Sequence, residues 1–222
     1  MIKAVIFDLD GVIINSEPLW EKATKIYLEQ LGKKFPTTKS FGRYVDINFR
    51  GRVQKEVVPR LKKKFKIEGT YNDIMKMRMK ILIKVFDKEL KLVPGVIALI
   101  KKINSKKIPM VIASSSPHIV VKYSIRRFGL KKYFKKIISG ENIKNGKPAP
   151  DIFIKASKQF KNIKPEEILV IEDSYSGIMA AKNADMQCLA IHHSYTMKKY
   201  FKKADMIVDT FNKINFNKII NL

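Results

Sequence analysis

Six short runs rich in Val, Ile and Ala, separated by helical patterns, constrain the fold of this chain more than any other feature. They lie at about 3–7, 108–113, 136–139, 168–172, 187–191 and 206–208. Several lack the apolar–polar alternation of a strand with one wet face, which predicts strands covered on both faces. Helical periodicity follows Pro94-Gly95, Ser116-Pro117, Pro150 and Ser176-Gly177, as in Val96, Ile97, Leu99, Ile100 and Ile103. Strand alternating with helix predicts an α/β fold built on a doubly wound parallel sheet.

One segment breaks the alternation. From about Ser16 to Leu90 the patterns are helical only: Leu19, Ala23, Ile26, Tyr27 and Leu31; Val53, Val57, Val58 and Leu61; Ile74, Met77, Ile81, Ile83 and Val85. Gly32, Pro36 and Gly69 punctuate them. The expectation is an α-helical insertion over residues 15–91, placed directly after the first strand, with residues 1–14 and 92–222 forming the core. Its hinges are expected near 14–16 and 88–94. The methionines at 75, 77 and 79 read as packing.

Polar stations follow four of the strands. After the first come Asp8 and Asp10, with Gly11; after the second, Ser114, Ser115 and Ser116. After the third comes a loop with Gly146-Lys147-Pro148, and after the fourth, Glu172, Asp173 and Ser174. In a parallel sheet the carboxyl ends of the strands share one edge, and ligands bind there at the switch in strand order. The stations are chemically complementary. Carboxylates can hold a hard cation, a hydroxyl and an ammonium can hold phosphate oxygens, and an Asp can attack phosphorus. Each station alone has a plainer explanation as a turn or helix cap. Their conjunction, in this order and at strand ends, points to function.

With these residues the chain resembles a haloacid-dehalogenase superfamily hydrolase of the β-phosphoglucomutase-like subgroup, over essentially its whole length. The matching motifs are Asp8-Leu9-Asp10-Gly11-Val12, Ser114 at a strand end, Gly146-Lys147-Pro148-Ala149-Pro150-Asp151, and Glu172-Asp173-Ser174 with Gly177. The resemblance implies a Rossmann-like core with a helical cap, and roles for the residues. Asp8 would be the nucleophile, forming an aspartyl-phosphate. Asp10 would be the general acid and base. Ser114, Ser115, Lys147 and Gly11 would serve the phosphoryl group. Mg²⁺ would be held by Asp8, the main-chain carbonyl of Asp10, and Asp173, with Glu172 nearby. The presence of Asp10 with Glu172-Asp173 favours phosphoryl chemistry over dehalogenation.

The mutases of this subgroup carry a His in the first cap helix, where this chain has Trp20. Its histidines, His118, His192 and His193, all lie outside the insertion. The expected activity is therefore Mg²⁺-dependent hydrolysis of a small phosphomonoester, a sugar phosphate or nucleotide-like compound. A β-phosphoglucomutase-type mutase is the alternative. Asn15 departs from the Asp usual in the family, which puts cap closure in question. Trp20 is a candidate for stacking on substrate or for filling the cap–core interface. Arg43 and Arg50 are candidates for a second anionic group, with exposed surface arginines as the plainer reading.

Charge raises a rival. Lys and Arg number 45 against 20 Asp and Glu, a formal +25, which attracts polyanions. The lysines are spread along the chain in groups such as Lys62-Lys63-Lys64, and no zinc-finger or RNP-type motif accompanies them. A solvated lysine surface is preferred to a nucleic-acid-binding protein with a vestigial hydrolase fold. No apolar run is long enough to cross a membrane, and the N-terminus lacks signal-peptide form. The single Cys188 has mostly apolar neighbours and suits a reducing compartment. The expectation is a cytoplasmic monomer whose partner is a small phosphorylated metabolite.

Overall fold

The computed structural model describes residues 1–194 and 198–222; for residues 39, 40, 43, 46, 47, 198 and 200 only the backbone is described. Six strands form one parallel sheet in the order β3-β2-β1-β4-β5-β6. They are β1 (Ala4–Phe7), β2 (Met110–Ser114), β3 (Lys136–Ser139), β4 (Ile168–Glu172), β5 (Gln187–Ile191) and β6 (Met206–Val208). The central pairings are in register as Phe7 beside Ile112 of β2 and Ile171 of β4.

Alternate residues of these strands feed two separate cores, as a sheet covered on both faces requires. Val5, Phe7, Ile112, Leu169, Ile171 and Leu189 join one. Ala4, Ile6, Val111, Ala113, Val170, Cys188 and Ala190 join the other. Between the strands and after the last run α5 (Val96–Ser105), α6 (His118–Arg127), α7 (Asp151–Ser157), α8 (Tyr175–Asn183) and α9 (Phe216–Ile220). The strand order reverses between β1 and β4, so a crevice opens beyond Phe7 and Glu172.

Between β1 and α5 the chain forms four helices: α1 (Glu17–Gln30), α2 (Lys39–Asn48), α3 (Gln54–Phe65) and α4 (Tyr71–Glu89). Pro18 fits the first turn of α1, where a missing N–H costs nothing. Leu19, Ala23 and Tyr27, with Thr24 and Leu28, form its buried stripe. A reciprocal capping box of Thr70 and Asp73 starts α4. The segments leading into and out of this helical unit pair with one another. Asn15 N–H donates to the Lys91 carbonyl at 2.9 Å and Val93 N–H to that of Ile13 at 3.0 Å.

Sequence patterning misses α2. The helix is short and contains Gly42, and its apolar spacing is brief, at Phe41, Tyr44, Val45 and Ile47 in the sequence; Thr38 caps it by accepting from Phe41 N–H. At α8 the expected start is corrected: Ser176 and Gly177 lie inside the first turn, and Ser174 is the N-cap, accepting from Gly177 N–H at 3.0 Å. Met77 is exposed, whereas Met79 is buried and Met75 packs against the core. Cys188 is fully buried, and burial pushes its thiol pKa well up. Among the described residues no helix is long and apolar enough to cross a membrane.

Candidate active site

β1 delivers Asp8 one residue past its end, and the chain then reverses through Gly11, whose φ is +72°. A side chain there meets two obstacles: the left-handed backbone, and Asp173 Oδ2 only 1.9 Å from the place a Cβ would take. β4 delivers Glu172 and Asp173 beside it. The loop after β3 folds back to bring Lys147 under both strand ends. Lys147 Nζ donates to Asp8 Oδ1 at 2.7 Å and to Glu172 Oε1 at 2.5 Å. All four side chains are buried.

Burial alone would depress the Lys147 pKa, but Asp8 and Glu172 raise it overall, so its ammonium is firmly charged. The acids respond in the opposite sense. Burial raises the Asp8 pKa well above the carboxylate range; Lys147 opposes this and Glu172 and Asp10 add to it. Burial, then Glu17, Glu172 and Asp8, raises Asp173 against Arg50. Glu172 Oε2 is held by the N–H groups of Asp173 and Ser174 and by the Ser174 hydroxyl, at 2.8–3.0 Å.

Asp8, Glu172 and Asp173 each offer an oxygen within 4.8 Å of the others. Asp173 Oδ2 is the one fully buried side-chain polar atom without a hydrogen bond among the described residues. A buried acceptor left unsatisfied is costly. An all-oxygen, acid-rich set with an open lone pair fits a hard divalent cation such as Mg²⁺.

Asp10 faces away from that cluster. Its Oδ1 accepts from Ser16 Oγ at 2.6 Å and Trp20 Nε1 at 2.9 Å, and its Oδ2 from Ser116 Oγ at 2.6 Å and Ser114 Oγ at 3.2 Å. Four donors from two parts of the chain thus fix one carboxylate. Ser16 and Ser116 are additions to the sequence-based set; Ser116 is the third hydroxyl of the triplet, and Ser16 precedes α1. His193, after β5, is a further addition. Its Nε2–H donates to the Gly11 carbonyl at 2.6 Å, and burial lowers its pKa.

Ser115 does not join Asp10; its hydroxyl donates to the Gly51 carbonyl at 2.8 Å, tying β2 to the helical unit. Trp20 is half-buried and lines the cavity, and beyond filling an interface its indole N–H is committed to Asp10. Arg50 is no surface arginine: it is buried and its Nε donates to Glu17 Oε2 at 3.0 Å. The Arg43 side chain lies outside the described residues. Asn15 is exposed, and no hydrogen bond of its side chain is seen among the described residues. A cavity runs from Asp8 and Asp10 past Trp20 into the helical unit, where Gln54, Val57 and Arg78 line it. Arg78 was missed by pattern reading, although it is a charge on the buried stripe of Ile74, Ile81, Leu82 and Val85.

Residues 5–191 match the family profile described as haloacid dehalogenase-like hydrolase. The chain is 34% identical, over 84% of its length and 83% of the relative's, to the phosphorylated carbohydrates phosphatase of Thermotoga maritima. The CbbY protein of Rhodobacter sphaeroides, solved in complex with phosphate, superimposes with a TM-score of 0.87 at 26% identity, each chain covered completely (100% and 100%). The β-phosphoglucomutase of Clostridium difficile shares the fold, with a TM-score of 0.83 at 24% identity over 100% of this chain and 96% of that one.

Proposed function

The chain belongs to the haloacid dehalogenase-like hydrolases, as a phosphoric monoester hydrolase, and on that premise we propose that it is a Mg²⁺-dependent phosphatase of small phosphomonoesters. The observation that carries this is the buried group of Asp8, Glu172 and Asp173 at the switch point, with Lys147 beside it and Asp173 Oδ2 unsatisfied.

In this reading Asp8 attacks phosphorus, an Oδ–P bond forms, and the ester P–O bond breaks. Asp10 protonates the departing alkoxide, then takes a proton from the water that hydrolyses the aspartyl-phosphate. Lys147 and Ser114 hold phosphoryl oxygens, and the Gly11 turn lets the backbone approach. Asp8, Asp173 and Glu172 would hold Mg²⁺, which neutralises charge on the transferring group. Residues 15–91 act as the cap that chooses the leaving group, and a phosphorylated carbohydrate is the leading substrate class, as the name of the Thermotoga relative suggests. The mutase reading requires something in the cap to delay hydrolysis. At the place where that subgroup carries His stands Trp20, which donates to Asp10 but cannot take up a proton as imidazole does.

A panel of small phosphoesters with Mg²⁺ tests the proposal. Inorganic phosphate is expected from at least one sugar phosphate, to be lost with EDTA, and to fall at least about a thousand-fold in Asp8→Asn. Undiminished turnover in Asp8→Asn would remove the nucleophile assignment. Isomerised sugar phosphate with little free phosphate would establish the mutase instead.

A further inference from the structure

We propose that Arg78 is the receptor for a second anionic group, so that the preferred substrate is a phosphomonoester bearing another phosphate or a carboxylate at its far end. This rests on the phosphatase reading above and specifies the substrate class of the same site. Arg78 lies in the middle of α4 and is only 4% exposed. Its Nη1 donates to Gln54 Oε1 at 2.6 Å, and its guanidinium sits 5.9 Å from the centre of the Trp20 ring. Among the described residues no carboxylate comes within ion-pair distance of it.

The other buried cations in the neighbourhood are matched, Arg50 by Glu17 at 3.0 Å and Lys147 by Asp8 at 2.7 Å, as is the half-buried Arg52 by Glu56 at 3.1 Å. An unmatched buried charge is expensive. Burial accordingly lowers the Arg78 pKa to about 10; only Tyr27 and Tyr71 oppose this. A guanidinium has five N–H donors, and one hydrogen bond to Gln54 leaves most of them unused. None of its nitrogens is among the sealed, unpartnered atoms, and Arg78 lines the same cavity as Asp8 and Asp10.

The contacts of Trp20 set Arg78 apart from Asp8. The Trp20 indole touches both sides of the cavity, with its N–H on Asp10 and Arg78 near its ring. A ligand reaching from Asp8 past the indole would bring its distal end to Arg78. A planar fork with free donors is suited to bidentate capture of phosphate or carboxylate, and such a group would supply the missing counter-charge.

Two matched pairs test the inference: fructose 1-phosphate against fructose 1,6-bisphosphate, and glycerol 3-phosphate against 3-phosphoglycerate. Phosphate release with Mg²⁺ is measured for wild type, Arg78→Gln and Arg78→Lys. Calorimetric binding of the same four compounds to Asp8→Asn protein, with and without Arg78→Gln, runs alongside. In at least one pair the doubly anionic member is expected to lead by roughly tenfold or more in kcat/KM. The bisphosphate pair responds if the second group is a phosphate, the glycerate pair if it is a carboxylate. Arg78→Gln should bring that ratio to within about threefold of unity, chiefly through KM, and Arg78→Lys should retain part of it. Equal kcat/KM within both pairs in wild type, or a ratio that survives Arg78→Gln, overturns the inference. If none of the four compounds is hydrolysed, the binding arm decides: tighter association of the doubly anionic member that Arg78→Gln abolishes supports the inference and its absence overturns it, whereas the phosphatase reading fails only if the whole phosphoester panel releases no phosphate. If Arg78→Gln does not fold, the wild-type ratio and Arg78→Lys decide.

Discussion

Trp20 shows how much a single residue can conceal in sequence. Pattern reading assigns it to stacking or filling, because a lone aromatic is usually apolar bulk. In the fold its indole N–H reaches Asp10 Oδ1 at 2.9 Å, beside the Ser16 hydroxyl at 2.6 Å. The hydrogen bond joins residues ten apart across a turn and a helix start, and no local periodicity announces it. Trp20→Phe keeps the ring and removes only the donor. Its kcat/KM is expected to fall roughly tenfold, the scale of one hydrogen bond to a charged acceptor. Steady-state kinetics on the best phosphoester checks this, and an unchanged value would mean that the remaining three donors hold Asp10 unaided. Asp8, Asp10, Lys147 and Asp173 were legible because motif chemistry sits at strand ends. The pairing of Arg50 with Glu17 was not, since it depends on how the loop at 49–53 lies on α1.

At the scale of elements, the strands were the most legible part. Burial on both faces writes itself into sequence as continuous Val and Ile, and five of the six runs fall within a residue of the observed strands. The junction of β4 with α8 was less so. Ser174 Oγ bonds both Glu172 Oε2 and Gly177 N–H, each at 3.0 Å, so one hydroxyl caps the helix and positions the acid. This leaves no room at Gly177, where a Cβ would stand 1.8 Å from Glu172 Oε1. Gly177→Ala must displace Glu172, which removes one of the two acceptors of Lys147. We expect phosphatase activity to drop at least tenfold with the helix itself intact. Circular dichroism together with phosphate release separates that outcome from simple unfolding. α2 escaped notice for the reverse reason: a ten-residue helix with an internal Gly has weak local signals and depends on packing.

For the molecule as a whole, three buried acids lie together and one cation, Lys147, is paired with two of them, Asp8 and Glu172. Asp8 and Asp173 have raised pKa values, chiefly through burial. A carboxyl raised by folding costs stability as pH climbs from the ordinary carboxylate value through the raised one. The metal-free protein should therefore lose stability toward neutral pH, and Mg²⁺ should restore it. At a hundred times its dissociation constant a ligand adds about 2.7 kcal/mol, or roughly 5–10 °C in Tm for a chain of this size. Asp173→Asn is expected to melt no lower than wild type in EDTA, since it removes a buried charge, and to lose most of the Mg²⁺ shift. Thermal denaturation with and without Mg²⁺ at pH 5 and pH 7 measures both effects. An undiminished shift in Asp173→Asn would place the cation elsewhere. The net charge of +25, legible at once, adds a long-range attraction for anions.

The contacts that seat the helical unit on the sheet have one more implication. Ser115 donates to the carbonyl of Gly51, and Ser176 to that of Arg50 at 3.3 Å. Both acceptors are main-chain atoms, which every amino acid supplies. The catalytic half thus recognises the backbone trace of the loop at 50–51. At these two contacts Gly51 is fixed, since a Cβ there would meet Ser174 and Ser176 hydroxyls at 2.5 and 2.6 Å. Side chains further along the cavity wall, Gln54 and Arg78 among them, take no part in the latch. Substitution along that wall can alter what the enzyme accepts while these two main-chain contacts stay as they are.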